Sequence, residues 1–244
     1  MAATTPGPGG GRAPRTGFGL IGPRHRRHAL TTEALDGLAL PVGDDGVVVG
    51  VDAGGLPAVL AVSRPSTYDL VLIGGLWTAQ VLALRTVATG VRVAVETGRP
   101  QAWAGLAHAV ADRNVLAVHD VGRVPTPGAS AGEPVLVVRD CGMRPPRGRV
   151  VSAPWRAVLT LLPYAGPAAP PLVRRARLVG VQRVSPQEAA HLARLVHLPP
   201  EEQERLSTLA DGVTLWCDGR DRSLVTIRAT DTETGLLGKP RRVD

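Results

Sequence analysis

The sequence predicts an α/β fold: a Rossmann-like parallel core extended by antiparallel strands and hairpins. Three observations carry this. Between residues 66 and 122, apolar β-branched runs alternate with helical stretches, the rhythm of parallel strands joined by right-handed crossovers. The run DLVLI ends on Gly74-Gly75 and passes directly into an apolar helix-like stretch, the layout that opens a mononucleotide-binding βαβ unit. Beyond residue 134, further strand-like runs end in a hairpin signal at Asp218-Gly219. A chain of 244 residues can bury a sizeable core. With aromatics at only 3%, that core must be built from Val, Leu and Ala.

The elements follow in order. Residues 1–28 are Gly-, Pro- and Arg-rich without periodicity, so a disordered basic tail is expected. Arg12, Arg15, Arg24, Arg26 and Arg27 lie there with no acid, so five of the seven net charges belong to the tail and the rest of the chain is close to neutral. Residues 46–65 hold two β-branched runs around Asp52-Ala53-Gly54-Gly55, a hairpin. A strand is expected at 69–73, a helix at 76–88 with Gly90 just past its end, and a strand at 91–95. Pro100 opens the next helix, whose apolar stripe is Trp103, Leu106, Ala107 and Val110. A third strand at 114–118 leads to His119-Asp120.

The runs at 134–138, 156–162 and 177–184 are strand-like, with no long helical segment between them. They are therefore read as part of an antiparallel extension, and PYAGPAAPP as a loop. Ser185-Pro186-Gln187-Glu188 is a capping box with Pro at the first helical position. Its helix carries Ala189, Leu192, Ala193 and Val196 on one face. Pro200 starts another helix with its acids in the first turn, where the helix dipole favours them. The expected organisation is a tail (1–28), one α/β domain (29–238) with its βαβαβ core at 66–122 and antiparallel strands plus two helices at 134–230, and an exposed tail (239–244).

The glycine turn is the best candidate for chemistry, and its details argue against it. A dinucleotide fingerprint, G-x-G-x-x-G/A, needs a second glycine so that pyrophosphate can approach the backbone. Here Gly74 and Ala79 fit the outer positions, but Leu76 stands at the middle one and Trp77 adds bulk. Glu96, 22 residues after Gly74, is placed as a ribose-binding acid would be. Gly74, Gly75 and Glu96 are thus the cofactor-binding candidates if the chain is a nucleotide- or nucleotide-sugar-dependent enzyme. No G-x-x-x-x-G-K-[ST] occurs, and the one lysine is Lys239.

Other readings are weaker. His119-Asp120 has no nucleophile motif beside it, and His191 and His197 lack a ligand partner at helical spacing, so no metal is expected. Cys141 and Cys217 form no CxxC pair and read as reduced thiols. Arg99, Arg174, Arg175 and Arg177 could make an anion patch, though a solvated face is the plainer reading. Stacking aromatics are too few for a nucleic-acid platform. The longest uncharged run near the glycines is too short and too polar for a bilayer span, so a cytoplasmic protein is expected.

The stretches RPSTYDLVLIGGLWTAQVLALRTVATGVRVAVETGRPQAW and VTLWCDGRDRSLVTIRATDTETGLLG resemble proteins of actinobacterial type VII (ESX) secretion loci, in particular the cytoplasmic part of the EccE family. The resemblance covers about residues 45–110 and 212–238. It implies a non-catalytic accessory component, with membrane subunits or the ATPase of the secretion complex as partners and peripheral attachment at the inner face of the cell membrane. It supplies no catalytic residue and no cofactor. The transmembrane helices expected at the N-terminus of EccE proteins have no counterpart in this sequence.

Overall fold

The computed structural model describes residues 46–125, 128–142 and 150–242. The expected tail at 1–28 lies outside them. The described chain forms strands β1 (Val47–Val51), β2 (Pro57–Leu60), β3 (Tyr68–Ile73), β4 (Arg92–Thr97), β5 (Leu116–Asp120), β6 (Val135–Asp140), β7 (Arg156–Leu162), β8 (Leu178–Val181), β9 (Val213–Asp218) and β10 (Asp221–Thr226). Its helices are α1 (Leu76–Ala88), α2 (Pro100–Val110), α3 (Ala169–Val173), α4 (Pro186–Val196), α5 (Pro200–Leu206) and α6 (Asp231–Leu237).

All ten strands join one sheet in the order β2-β1-β10-β9-β8-β3-β7-β6-β4-β5. The six from β8 to β5 are mutually parallel, and β9, β10, β1 and β2 continue the sheet antiparallel. The α/β class is therefore as expected, with one rearrangement. β3 and β4 are not neighbours, because β7 and β6 lie between them. Of the runs expected as antiparallel additions, those at 134–138 and 156–162 instead pair parallel on both sides in the centre of the sheet, while β8, within 177–184, is parallel to β3 on one side and antiparallel to β9 on the other. β6 is buried at every position, as a strand covered on both faces must be.

Alternation along β3 builds a core on each face. Leu70 and Leu72 pack with Leu82, Trp103, Leu106, Val93, Val95, Leu136 and Leu159 beneath α1 and α2. Val71 and Ile73 face the opposite layer, with Val179, Val181, Ala189, Leu192 and Leu206 beneath α3, α4 and α5. The capping box forms: Ser185 N–H donates to Glu188 Oε2 (3.0 Å), and Ser185 Oγ accepts from Glu188 N–H (3.3 Å). Part of the PYAGPAAPP segment, expected as a loop, is helix α3.

The C-terminal segment departs most from expectation. Thr230 and Glu233 form a second capping box for α6, which packs on α1 and α2. The described residues of the tail, 239–242, run back over the glycine turn, with Lys239 and Arg241 exposed and Pro240 and Arg242 half-buried. Arg242 Nε donates to the Arg183 carbonyl (2.7 Å) and Nη2 to the Pro163 carbonyl (2.8 Å).

Candidate functional site

β3 ends at Ile73 and α1 begins at Leu76, so Gly74-Gly75 is the whole connection. The turn lies at the carboxyl end of a parallel strand and at a helix N-terminus, where open α/β sheets bind phosphate. Here the cradle is filled from within. Gln182, directly after β8 and buried, accepts from Gly75 N–H through Oε1 (2.7 Å) and donates through Nε2 to Thr78 Oγ1 (2.6 Å). Thr214 lies within 3.4 Å of the same Nε2. The Gly75 N–H, which an anion at this turn would accept from, is thus already taken by a side-chain amide oxygen.

Gly75 is glycine for space, since its φ of −83° is open to any residue. A Cβ there would lie 2.7 Å from the carbonyl oxygen of Arg242 and 2.9 Å from that of Arg241. A Cβ on Gly74 would collide with Gln182 Oε1. One side of the turn is therefore closed by Gln182 and the other by backbone carbonyls, acceptors that oppose an anion.

Leu76 and Trp77 obstruct differently from expectation. Both are buried in the helix packing and do not project over the turn. Leu76 joins the α1–α2 core, while Trp77 packs with Val81, Ile227 and Leu237. Trp77 Nε1–H donates to the Gly238 carbonyl (3.0 Å) and so ties α1 to the C-terminal segment.

Glu96 is not brought to the glycines. It lies in β4, three strand spacings from β3, roughly 14 Å across the sheet. It is fully buried, paired with Arg139 Nε, and accepts from Gly122 N–H (2.8 Å). Next to it, Asp140 ends β6 and is also fully buried. It accepts from Trp103 Nε1 (2.8 Å), Thr97 Oγ1 (3.1 Å) and Arg99 Nε and Nη2 (3.0 Å each). Arg99 therefore serves Asp140, at the opposite end of the parallel strands from Arg174, Arg175 and Arg177, and the four make no common patch. The hollow beside the ends of β6 and β7, about 310 Å³, is lined by Leu162, Pro163, Tyr164 and neighbouring small residues and is apolar.

Sequence reasoning missed Gln182, Arg139, Asp140 and Arg242. VLVVRD carried a signal, because two charges closing a continuous apolar strand must be buried and paired. Gln182 carried none.

The thiols have no reactive setting. Burial pushes Cys141 and Cys217 up to about 11, the carboxylates of Glu96 and Asp140 adding to the effect at Cys141. Burial would also raise Glu188, but the N–H groups of Ala165 and Ser185, the Ser185 hydroxyl and the charge of Arg242 outweigh it and hold that carboxyl low. Among the described residues no cluster of three His, Cys, Asp or Glu side chains is placed to hold a metal. None of the described helices is long and apolar enough to cross a membrane.

No protein-family model matches the chain, and no curated protein matches it in sequence. Solved structures do match in fold. VirB4 of Thermoanaerobacter pseudethanolicus superposes with a TM-score of 0.57 at 10% identity, over 78% of this chain and 98% of that one. The cytoplasmic domain of EssC superposes with a TM-score of 0.52 at 13% identity, over 92% of this chain and 48% of that one. At these identities the likeness is one of fold.

Proposed function

We propose that this chain is a non-catalytic interaction component of a protein secretion apparatus, of the type VII (ESX) kind and EccE-like in its placement, acting at the inner face of the cell membrane. The observation that carries the non-catalytic part is Gln182 in the glycine turn. The Gly74 and Gly75 N–H groups are already bonded within the protein, to the Leu162 carbonyl and to Gln182, and the Arg241 and Arg242 carbonyls close the approach. Support for secretion comes from two directions. The fold is shared with VirB4 and EssC, both secretion-system proteins, and the sequence resembles type VII secretion-locus proteins.

The competing reading, an enzyme dependent on a nucleotide or nucleotide sugar, has the fold in its favour. Its site would need Gly74, Gly75 and Glu96 together, and Glu96 is neutralised by Arg139 far across the sheet.

The test is affinity capture of the tagged chain from detergent-solubilised membranes of its own host, with bound proteins identified by mass spectrometry. Enrichment of secretion-channel subunits is the expected result. Recovery of the chain alone from the soluble fraction would contradict it.

A further inference from the structure

Beyond α6, Gly238 turns the chain with a φ of +75°, and its carbonyl accepts from Trp77 Nε1–H (3.0 Å). Pro240 then lies over Gly212, where an added Cβ would sit 3.3 Å from the Pro240 Cβ. The Arg241 and Arg242 carbonyls pass so close to Gly75 that a Cβ there would come within 2.9 Å of both oxygens. Two glycines along the path thus leave room for an extended backbone. Arg242 anchors the segment: its Nε–H donates to the Arg183 carbonyl (2.7 Å) and its Nη2–H to the Pro163 carbonyl (2.8 Å), 59 and 79 residues away in sequence. Lys239 and Arg241, between the anchors, are exposed.

The place that Arg242 occupies is made of acceptors. Two backbone carbonyls bond to it, and the Glu188 carboxylate is near enough to feel its charge. Such a lining attracts a cation and repels an anion. The two carbonyls belong to the segments that leave β7 and β8, the strands that flank β3, so the sheet sets their spacing. A guanidinium carries Nε–H and Nη–H along one edge and meets both carbonyls at once, whereas an ammonium offers a single nitrogen. The geometry therefore favours arginine over lysine.

We propose that this is an arginine-recognition seat for an extended segment, filled in cis by residues 238–242, and that those residues form a releasable strap over the glycine turn. Residues 239–242 belong to no helix or strand, so their release breaks neither. It gives up the Arg242 bonds and the contact at Gly238, and it uncovers one side of Gly75 while Gln182 still holds the other. An arginine-bearing segment supplied in trans takes the same seat and keeps the strap off. The seat consists of the chain's own acceptors, so it rests on neither functional reading of the glycine turn.

The test follows two ¹⁵N-linked resonances of the full chain, the Trp77 indole N–H and the Gly75 amide. Arg242→Glu sets a carboxylate against the carbonyls, and both resonances should move with the circular dichroism spectrum unchanged. The acetylated, amidated peptide GKPRR, residues 238–242, should return them to their parent positions saturably. The same peptide ending in lysine should need about tenfold more, because a hydrogen bond from a charged donor is lost. Should Arg242→Glu fail to fold, Arg242→Lys decides: exchange of the Trp77 indole proton should quicken about tenfold as the strap opens more often. Resonances unmoved in Arg242→Glu, no return with the peptide, or unchanged indole exchange in Arg242→Lys would overturn the proposal. Equal potency of the two peptides would overturn it too, since a general attraction for cations would then suffice.

Discussion

The side-chain amide of Gln182 is bonded to the backbone of Gly75, Oε1 to N–H at 2.7 Å, across 107 residues of sequence. Through this contact β8 reaches under its neighbour β3 and closes the turn that, in a nucleotide-binding protein of this architecture, receives phosphate. The Gly75 N–H is buried, so truncating its partner should cost the full penalty of an unmet donor. Gln182→Ala is expected to lower stability by about 1–3 kcal/mol in denaturant titration, and to leave the chain without nucleotide hydrolysis.

Glu96 and Arg139 separate the two functional readings by their energetics. A ribose-binding acid can be neutralised with little structural cost, but half of a buried ion pair cannot. Glu96→Gln should destabilise by about 3–5 kcal/mol because it takes the paired carboxylate away from the buried Arg139 guanidinium, and Glu96→Leu with Arg139→Met should recover most of that loss. Equilibrium unfolding of the two variants measures both. A single variant as stable as the parent would contradict the pairing.

The C-terminal helix is held by a bidentate pair, Arg85 Nε to Glu233 Oε1 (2.6 Å) and Nη2 to Oε2 (2.8 Å). The Arg85 bonds, opposed by burial and reinforced by Thr230, hold the Glu233 carboxyl below its ordinary 4.5. A carboxyl lowered in the folded state contributes stability that is complete above about 4.5 and lost as pH falls through the folded value. α6 should therefore loosen in that acid range before the sheet does. Trp77 fluorescence reports it, because the indole packs on Leu237 and bonds to Gly238. The early acid step should be absent in Glu233→Gln, whose α6 is already loosened at neutral pH.

Both thiols should be sluggish. Raised from 9.0 to about 11, they hold about a hundredfold less thiolate than a free thiol near neutral pH. Alkylation of the native chain by iodoacetamide at pH 7.5 should be slower than that of the unfolded chain by that factor or more. Equal rates would mean that Cys141 and Cys217 are not protected as described.

Much of the fold was legible because local chemistry agreed with it. Pro100, the Ser185–Glu188 box, Gly90 and the Asp218-Gly219 turn each act within a few residues. The stripes of α2 and α4 name their buried faces directly. Strand order was not legible. β6 and β7 are continuous apolar runs, the mark of central parallel strands, but no long helix precedes either, and their connections suggested antiparallel pairing. The filled cradle was legible only by half. Leu76 and Trp77 showed that the fingerprint was broken, yet the residues that close it, Gln182 and Arg242, are distant in sequence and meet the glycines only through tertiary structure. Glu96 misled for the same reason: its spacing from Gly74 suits a ribose acid only if β4 lies beside β3, and two strands intervene.

The most direct test is a titration of the ¹⁵N-labelled chain with magnesium-ATP, following the Gly75 amide. With Gln182 bonded in the turn, that resonance should stay in place at millimolar nucleotide, and calorimetry should show no binding heat. A saturable shift at Gly75, accompanied by heat, would contradict the account and make the turn a working nucleotide site.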